Sequence, residues 1–298
     1  MPLDEDKYPK ETGRRRFVKG VVGSAALASV GVGGAAALDT ATSPSGVGGG
    51  ITQFVGIENT DGPAPRGMPI IPLEIDSDGA LKGLWPEVQE ETQSGRTVKV
   101  AKTDVGGVTY SNAWFQYCGV QNYEGLAPSA DQDNFFRSNP SPTLEWQKEL
   151  EGGAKLTVDD FSDYEEWGNN IGKSGVGKPA EATWRSDGDV QTIPVQVIRS
   201  KRVEQMANGE GKYSELPSDV KNFLSAATDQ GFMAWLNKCT HFCCVPGFKT
   251  YEGSSKFGAE NEVYCQCHQS IYDPFSPVSK SFVALPRPES DGGSEGGE

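Results

Sequence analysis

The pattern of apolar and polar residues predicts a body made mainly of β-strands. Residues 73–75 and 97–100 alternate between apolar and polar side chains, which is the period of a half-buried strand. Residues 193–198 place three β-branched side chains on one face. Residues 232–236 form a continuous apolar run, as expected for a buried strand that leads directly to Cys239.

One segment, residues 216–228, has the spacing of an amphipathic helix. Pro217 and Ser218 stand at its start, where a helix tolerates proline and favours a hydroxyl side chain. Apolar residues then recur on one helical face, at Val220, Phe223, Leu224 and Ala227. The patterning therefore predicts a mainly β fold with one short helix.

The N-terminal part of the chain has the pattern of an export and anchoring segment. Residues 14–19 read Arg-Arg-Arg-Phe-Val-Lys and resemble a twin-arginine signal. Residues 20–38 carry no charge and as a helix would span about 28 Å, close to the ~30 Å of a bilayer core. We expect residues 1–19 in the cytoplasm, a single transmembrane anchor at 20–38, and the rest on the outer face of the cell membrane. Cleavage after residues 35–37, Ala-Ala-Ala, is the open alternative.

The regions between this anchor and the C-terminal half carry few chemical signals. Residues 39–67 contain a Gly-rich run and are predicted to be a flexible tether, with an ordinary loop as the alternative. Residues 68–151 form an extra region without a chemical motif. Cys118 lies among aromatic residues and is interpreted as a buried small apolar residue. Residues 289–298 contain only Gly, Ser, Asp and Glu and are predicted to be disordered.

The net charge limits the partners of this protein. The formal charge is -14 and the isoelectric point is about 4.7. A nucleic-acid surface needs clustered Lys and Arg, so this class of partner is excluded. A solvated acidic surface is the simplest interpretation, and it also suits a salt-rich environment.

Residues that bind metals are concentrated between Cys239 and Asp273. This stretch contains five of the six cysteines and both histidines of the 298-residue chain. Cys239 and His241 are separated by one residue, and Cys265 and His268 by two, so each pair can bind one metal centre from its own loop. Two thiolates and two imidazoles fit either a tetrahedral zinc ion or an iron–sulfur cluster, and the ligand types do not decide between them.

The two loops resemble the boxes of Rieske iron–sulfur proteins, which read C-T-H-x-G-C and C-P-C-H-G-S. Here they read Cys-Thr-His-Phe-Cys-Cys at 239–244 and Cys-Gln-Cys-His-Gln-Ser at 265–270. Val245-Pro246, Tyr264 and Tyr272-Asp273 extend the match. The chain resembles most closely the Rieske subunit of cytochrome bc-type quinol-oxidising complexes, over residues 152–288.

The resemblance implies a Rieske-type antiparallel β-sandwich with a small cluster-binding subdomain at about 237–281. Cys239 and Cys265 would bind the inner iron of a 2Fe-2S cluster, and His241 and His268 the outer iron. The further implied roles are a disulfide bond between Cys244 and Cys267, hydrogen bonds from Ser270 and Tyr272 that raise the reduction potential, and a docking surface around Phe242. Packing in the core is the alternative for Phe242.

The two loops also depart from the family pattern. Cys243 replaces Gly, so either Cys243 or Cys244 could pair with Cys267, and the register favours Cys244. Gln266 and Gln269 replace Pro and Gly. A third, proline-rich loop of the family is only loosely matched, by Pro274, Pro277 and residues 281–288.

The resemblance implies electron transfer as a subunit of a quinol:electron-acceptor oxidoreductase. His268 would accept a hydrogen bond from quinol at a cytochrome b subunit, and one electron and one proton would be taken together. The electron would pass to an exported cytochrome or small copper protein. Two alternatives stay open, namely the Rieske subunit of another exported oxidoreductase, such as a molybdenum enzyme, and a zinc-stabilised exported module. A ring-hydroxylating oxygenase is disfavoured because it needs further histidines for a catalytic iron.

Overall fold

A twelve-residue strand, Gly50–Asp61, lies in the middle of the main sheet. The structure is a computed structural model that describes residues 49–93 and 95–287. The predicted cytoplasmic segment, membrane anchor and acidic tail lie outside the described residues, as does the first part of the predicted tether. Among the described residues, no helix is both long enough and apolar enough to cross a membrane.

Within these residues the chain is mainly β, with antiparallel sheets and a few helices. The strands are, in chain order, β1 (Gly50–Asp61), β2 (Met68–Ile71), β3 (Leu73–Ile75), β4 (Leu81–Gly83), β5 (Val88–Gln93), β6 (Arg96–Val105), β7 (Val108–Ser111), β8 (Arg137–Ser138), β9 (Lys178–Thr183), β10 (Pro194–Arg199), β11 (Phe232–Leu236), β12 (Gly247–Phe248), β13 (Val263–Cys265) and β14 (Ser270–Ala284). The α-helices are α1 (Lys201–Asn208) and α2 (Ser218–Ala227). Short 3-10 helices occupy Asn112–Phe115, Val120–Asn122, Glu124–Leu126, Glu145–Glu149, Val158–Phe161, Gly211–Glu215 and Glu252–Phe257.

The main sheet has nine strands in the order β12-β13-β14-β1-β2-β11-β10-β9-β8, and each neighbouring pair is antiparallel. β3 and β4 form a separate hairpin, and β5, β6 and β7 form a three-stranded sheet. The predicted strands at 73–75, 97–100, 193–198 and 232–236 are all present. Trp114, Trp184 and Trp235 are fully buried in one apolar core that these elements share.

The prediction of a tether is wrong for residues 50–61, which form β1. Phe54, Val55 and Ile57 in this strand are completely buried, and β1 pairs with β14 from Gly50 opposite Ala284 onwards. Burial of these apolar side chains on a central strand stabilises the strand. The described part of the predicted tether therefore belongs to the folded body.

The predicted boundary at residue 151 does not separate two bodies. The described residues form one compact unit. β2 lies in the main sheet, and β8 pairs with β9 across the expected boundary. The extra region, residues 68–151, is thus built into the same fold as residues 152–287.

The prediction of one helix was incomplete. α2 begins at Ser218 and buries the four apolar residues expected on its inner face. The second helix, α1, begins after Ser200, whose hydroxyl accepts a hydrogen bond from the backbone N–H of Arg202, and it ends at Gly209 with φ of 64°. A serine cap and a closing glycine are sequence signals for a helix. α1 has a single turn of buried side chains, Val203 and Met206, which gives it a weak apolar pattern.

Most of the stretch expected to represent a third, proline-rich loop lies in a strand, which ends at Ala284. Pro274 and Pro277 lie within β14, and the end of β14 pairs with the start of β1. A register shift leaves residues 274–276 without partners on β1. Such a bulge accommodates Pro274, which lacks the N–H that a regular ladder needs, while Pro277 lies opposite Ile57.

Candidate metal centre

Two loops at one end of the main sheet bring the predicted ligands together. The first loop, residues 237–246, follows β11, and the second, residues 266–269, is the turn between β13 and β14. Each loop closes on itself through backbone hydrogen bonds, from Cys239 N–H to the Cys244 carbonyl (2.8 Å) and from Gln269 N–H to the Cys265 carbonyl (2.8 Å). In a tight turn of this kind, the side chain of the first residue lies close to the backbone N–H groups of the residues that follow it.

The two departures from glycine lie at left-handed backbone positions. Cys243 has φ of 63° and Gln269 has φ of 62°. Residues with a Cβ atom adopt this conformation at a cost of about 1–2 kcal/mol. Both residues therefore hold, at a steric cost, a backbone conformation that glycine adopts freely.

Cys239 and Cys265 are the two cysteines that form no disulfide bond. Each is 1% exposed, and the thiol of Cys265 donates a hydrogen bond to the sulfur of Cys239. That bond, the Tyr272 hydroxyl and the N–H groups of His241 and Phe242 lower the pKa of Cys239 to about 5, although burial opposes the shift. The pKa of Cys265 is raised. Its proton is held in the hydrogen bond to Cys239, and burial also disfavours the thiolate.

The two imidazoles are neighbours and are more exposed than the two thiols. The ring centroids of His241 and His268 are 4.9 Å apart. Nδ1 of His241 is buried and has no hydrogen-bond partner among the described residues, while His268 is exposed. Phe242 is 64% exposed and its ring contacts both imidazoles, with centroid distances of 4.4 and 4.9 Å. Core packing of Phe242 is thereby ruled out.

A disulfide bond joins Cys244 in the first loop to Cys267 in the second, so the predicted pairing is confirmed. The sulfur of Cys265 lies within 4.8 Å of both of these sulfurs. This group of three does not make a separate metal site, because the bonded sulfurs are not thiolates. The disulfide instead covers Cys265 and clamps the two loops together.

A second disulfide bond joins Cys118 to Cys243, with a Cα–Cα distance of 5.3 Å. The interpretation of Cys118 as a buried small apolar residue was therefore wrong, because Cys118 is half-buried and disulfide-bonded, and the extra cysteine at 243 has a partner. No spacing in the sequence marks this pairing, because the two cysteines are 125 residues apart. The sulfur of Cys118 also lies 3.3 Å from the carbonyl oxygen of Cys239, a contact without a shared proton because a disulfide sulfur has none.

The two predicted hydroxyls have different surroundings. Tyr272 is fully buried and donates a hydrogen bond to the sulfur of Cys239 at 3.2 Å, as the resemblance implies. Its hydroxyl also accepts one from the N–H of Thr240. Ser270 is fully buried as well, and its oxygen accepts a hydrogen bond from the N–H of Ala64 at 3.2 Å. The described residues show no hydrogen bond from the Ser270 hydroxyl to a sulfur, so its role in raising the reduction potential stays a prediction.

Residues from the N-terminal half of the described chain, outside the two ligand loops, complete the site. Gly62 approaches the second loop so closely that a Cβ would lie 2.5 Å from the carbonyl oxygen of Gln269. The backbone carbonyl of Arg66 accepts a hydrogen bond from the Thr240 hydroxyl at 2.6 Å, and the Tyr117 hydroxyl donates to the carbonyl of Lys238 at 3.1 Å. These contacts depend on tertiary structure, and no local motif marks them.

The donor set fits the cluster that the sequence suggested. The two free thiols lie in contact at the buried side, and two imidazoles lie next to each other at the exposed side. The unpartnered Nδ1 of His241 is a buried nitrogen that a metal ion would satisfy. Backbone N–H groups from both loops are directed at the sulfurs, as is common around iron–sulfur clusters.

Comparisons with protein-family models, with curated proteins and with solved structures found no match to this chain.

Proposed function

We propose that this protein is an electron-transfer subunit that carries a Rieske-type 2Fe-2S cluster and oxidises quinol together with a cytochrome b partner. The observation that carries the proposal is the arrangement of four side chains on two clamped loops. Cys239 and Cys265 are buried and in contact, and His241 and His268 are neighbours at the exposed side. The Cys244–Cys267 disulfide fits an exported domain, because the cytosol would reduce such bonds.

In the proposed site, Cys239 and Cys265 hold the inner iron, while His241 and His268 hold the outer iron. When bound, the cluster supplies a one-electron acceptor whose reduction raises the proton affinity of its imidazole ligands. The Tyr272 hydroxyl donates to the Cys239 sulfur and so favours the more negative, reduced state. Burial of both cysteines excludes water from the sulfur side of the site.

His268 and Phe242 form the surface for the partner in this proposal. The exposed imidazole of His268 accepts a hydrogen bond from the quinol hydroxyl at its free ring nitrogen and takes up the proton there. Phe242 packs on that imidazole and presents an apolar ring to the quinol pocket. The electron then passes to an exported cytochrome or small copper protein, with the domain held at the outer face of the cell membrane by residues 20–38.

The first experiment identifies the metal. The full chain, expressed with its export signal, should contain two iron and two sulfide per protein and give a rhombic EPR signal after reduction by dithionite. The double variant C239S/C265S should lose iron and signal. The variant C118S/C243S removes the same number of sulfur atoms outside the ligand set and should keep both. Bound zinc with no EPR signal would overturn the proposal in favour of a zinc-stabilised module.

The second experiment identifies the redox partner. Detergent-solubilised membranes of the native cell should yield this protein together with a b-type cytochrome, and the complex should reduce a cytochrome acceptor with quinol as the donor. Copurification with a molybdenum enzyme and no cytochrome b would contradict quinol oxidation, while leaving the cluster assignment in place.

A further inference from the structure

Arg66 is a buried cation that has only aromatic and backbone partners. Its guanidinium carbon lies 3.7 Å from the ring centroid of Phe282, 4.2 Å from that of Tyr117 and 5.0 Å from that of Phe54. Nη1 donates a hydrogen bond to the carbonyl of Gly67 at 3.2 Å. Arg66 is 9% exposed, and within the described part of the chain it forms no ion pair with a carboxylate.

This cation lies directly behind the first ligand loop. The backbone carbonyl of Arg66 accepts a hydrogen bond from Thr240, the residue after Cys239. Tyr117, which covers one face of the guanidinium, donates a hydrogen bond to the carbonyl of Lys238, the residue before Cys239. The two chain neighbours of Cys239 are therefore both held from this side. Thr240 is held by the backbone of Arg66, and Lys238 is held by the hydroxyl of Tyr117.

The charge of Arg66 acts on the groups that surround the Cys239 sulfur. Burial raises the pKa of Tyr117, the positive charge of Arg66 opposes that shift, and the thiolate of Cys239 adds to it. Tyr272 donates its hydrogen bond to the same sulfur, and it also interacts electrostatically with Arg66. A guanidinium stays protonated at physiological pH even when burial lowers its pKa. The positive charge of Arg66 is therefore present throughout the physiological pH range.

We propose that Arg66 is a positioning and tuning residue whose buried positive charge raises the reduction potential of the metal centre. This inference rests on the proposed function, because it requires a redox-active cluster at the two loops. Reduction adds one electron, and hence one negative charge, to the centre. A cation without a carboxylate partner stabilises that added charge, and burial limits screening by water and salt. For unit charges at an effective dielectric constant of about 20, we expect the equilibrium constant for reduction to change on the order of tenfold.

The test is an equilibrium redox titration of the purified full chain, followed by the EPR signal of the reduced centre. Arg66→Gln removes the charge and should move the midpoint potential to a more negative value, with an equilibrium constant for reduction on the order of tenfold lower. Arg66→Lys keeps the charge and should retain most of the wild-type potential. The matched control is Arg199→Gln, because Arg199 on β10 also packs on aromatic rings, those of Tyr164 and Phe232. It should leave the potential unchanged.

Three results would overturn the proposal. An unchanged potential in Arg66→Gln would show that the charge does not act on the centre. An equal fall in Arg66→Lys would show that the shape of the side chain, and not its charge, matters. Loss of the cluster in both Arg66→Gln and Arg66→Met, with retention in Arg66→Lys, would assign Arg66 to assembly of the site. A wild-type protein without a cluster signal would instead overturn the proposed function itself, and with it this inference.

Discussion

The disulfide bond between Cys118 and Cys243 ties the segment of short helices after β7 to the first ligand loop. Cys243 is followed directly by Cys244, which is bonded to Cys267 in the second loop. Three separate parts of the chain are thus linked through two neighbouring residues. The region that carries no chemical motif in the sequence is thereby attached covalently to the proposed metal centre.

Removal of the Cys118–Cys243 bond should destabilise the protein. A cross-link over 125 residues limits the freedom of the unfolded chain, and its loss should cost about 2–4 kcal/mol. The variant C118A/C243A should show this loss in urea unfolding. The variant C118A/C243G should be more stable than C118A/C243A by about 1 kcal/mol, because glycine relieves the strain at φ of 63°. Equal stability of the two variants would contradict a strained backbone at residue 243.

Gln269→Gly should stabilise the protein. Gln269 is exposed and has φ of 62°, a conformation that glycine adopts without steric cost. We expect a gain of about 1 kcal/mol in the free energy of unfolding. The control is Gln266→Gly in the same exposed loop, where φ is not positive and glycine should lower stability by about 0.5–1 kcal/mol. A loss of stability in both variants would show that Gln269 makes contacts that outweigh its backbone strain.

Tyr272→Phe should lower the reduction potential of the centre. The hydroxyl donates to the Cys239 sulfur at 3.2 Å, and such a bond strengthens when the sulfur becomes more negative on reduction. A differential effect of about 1 kcal/mol corresponds to roughly 40 mV for a one-electron couple. Voltammetry of the purified protein measures this shift. Tyr110→Phe is a matched control, since Tyr110 is also fully buried but donates to the carbonyl of Leu84, away from both loops. An equal shift in both variants would mean that the change is not specific to the sulfur contact.

Phe242→Ser should slow electron transfer from quinol without changing the potential. Phe242 is exposed and contacts both imidazoles, so its loss removes apolar docking surface while the ligands stay in place. We expect the turnover of the assembled complex to fall about tenfold or more, equivalent to at least 1.4 kcal/mol of lost interaction. Val88→Ser removes another exposed apolar side chain, on β5, and should have no effect on turnover. Normal turnover of the Phe242→Ser complex would exclude this residue from the docking surface.

The ligand loops could be found in the sequence because their information is local. Cys239 and His241, like Cys265 and His268, are close in the chain, and short turns bring such residues onto one centre. The strands and α2 were also readable, since a buried face imposes its period on consecutive residues. Ser200 and Gly209 mark the ends of α1, but its short apolar pattern hid the helix.

Only the tertiary structure decided which distant residues support those loops. Cys118 is bonded to Cys243, β1 pairs with β14, and Arg66 packs behind Cys239. Each of these contacts joins segments that are far apart in the chain. Such partners are selected by burial and by shape across the core, and neither property has a period or a spacing in the sequence. The sequence alone determined which residues can bind a metal, and the packing of β1, β14 and the Cys118 segment determined what surrounds them.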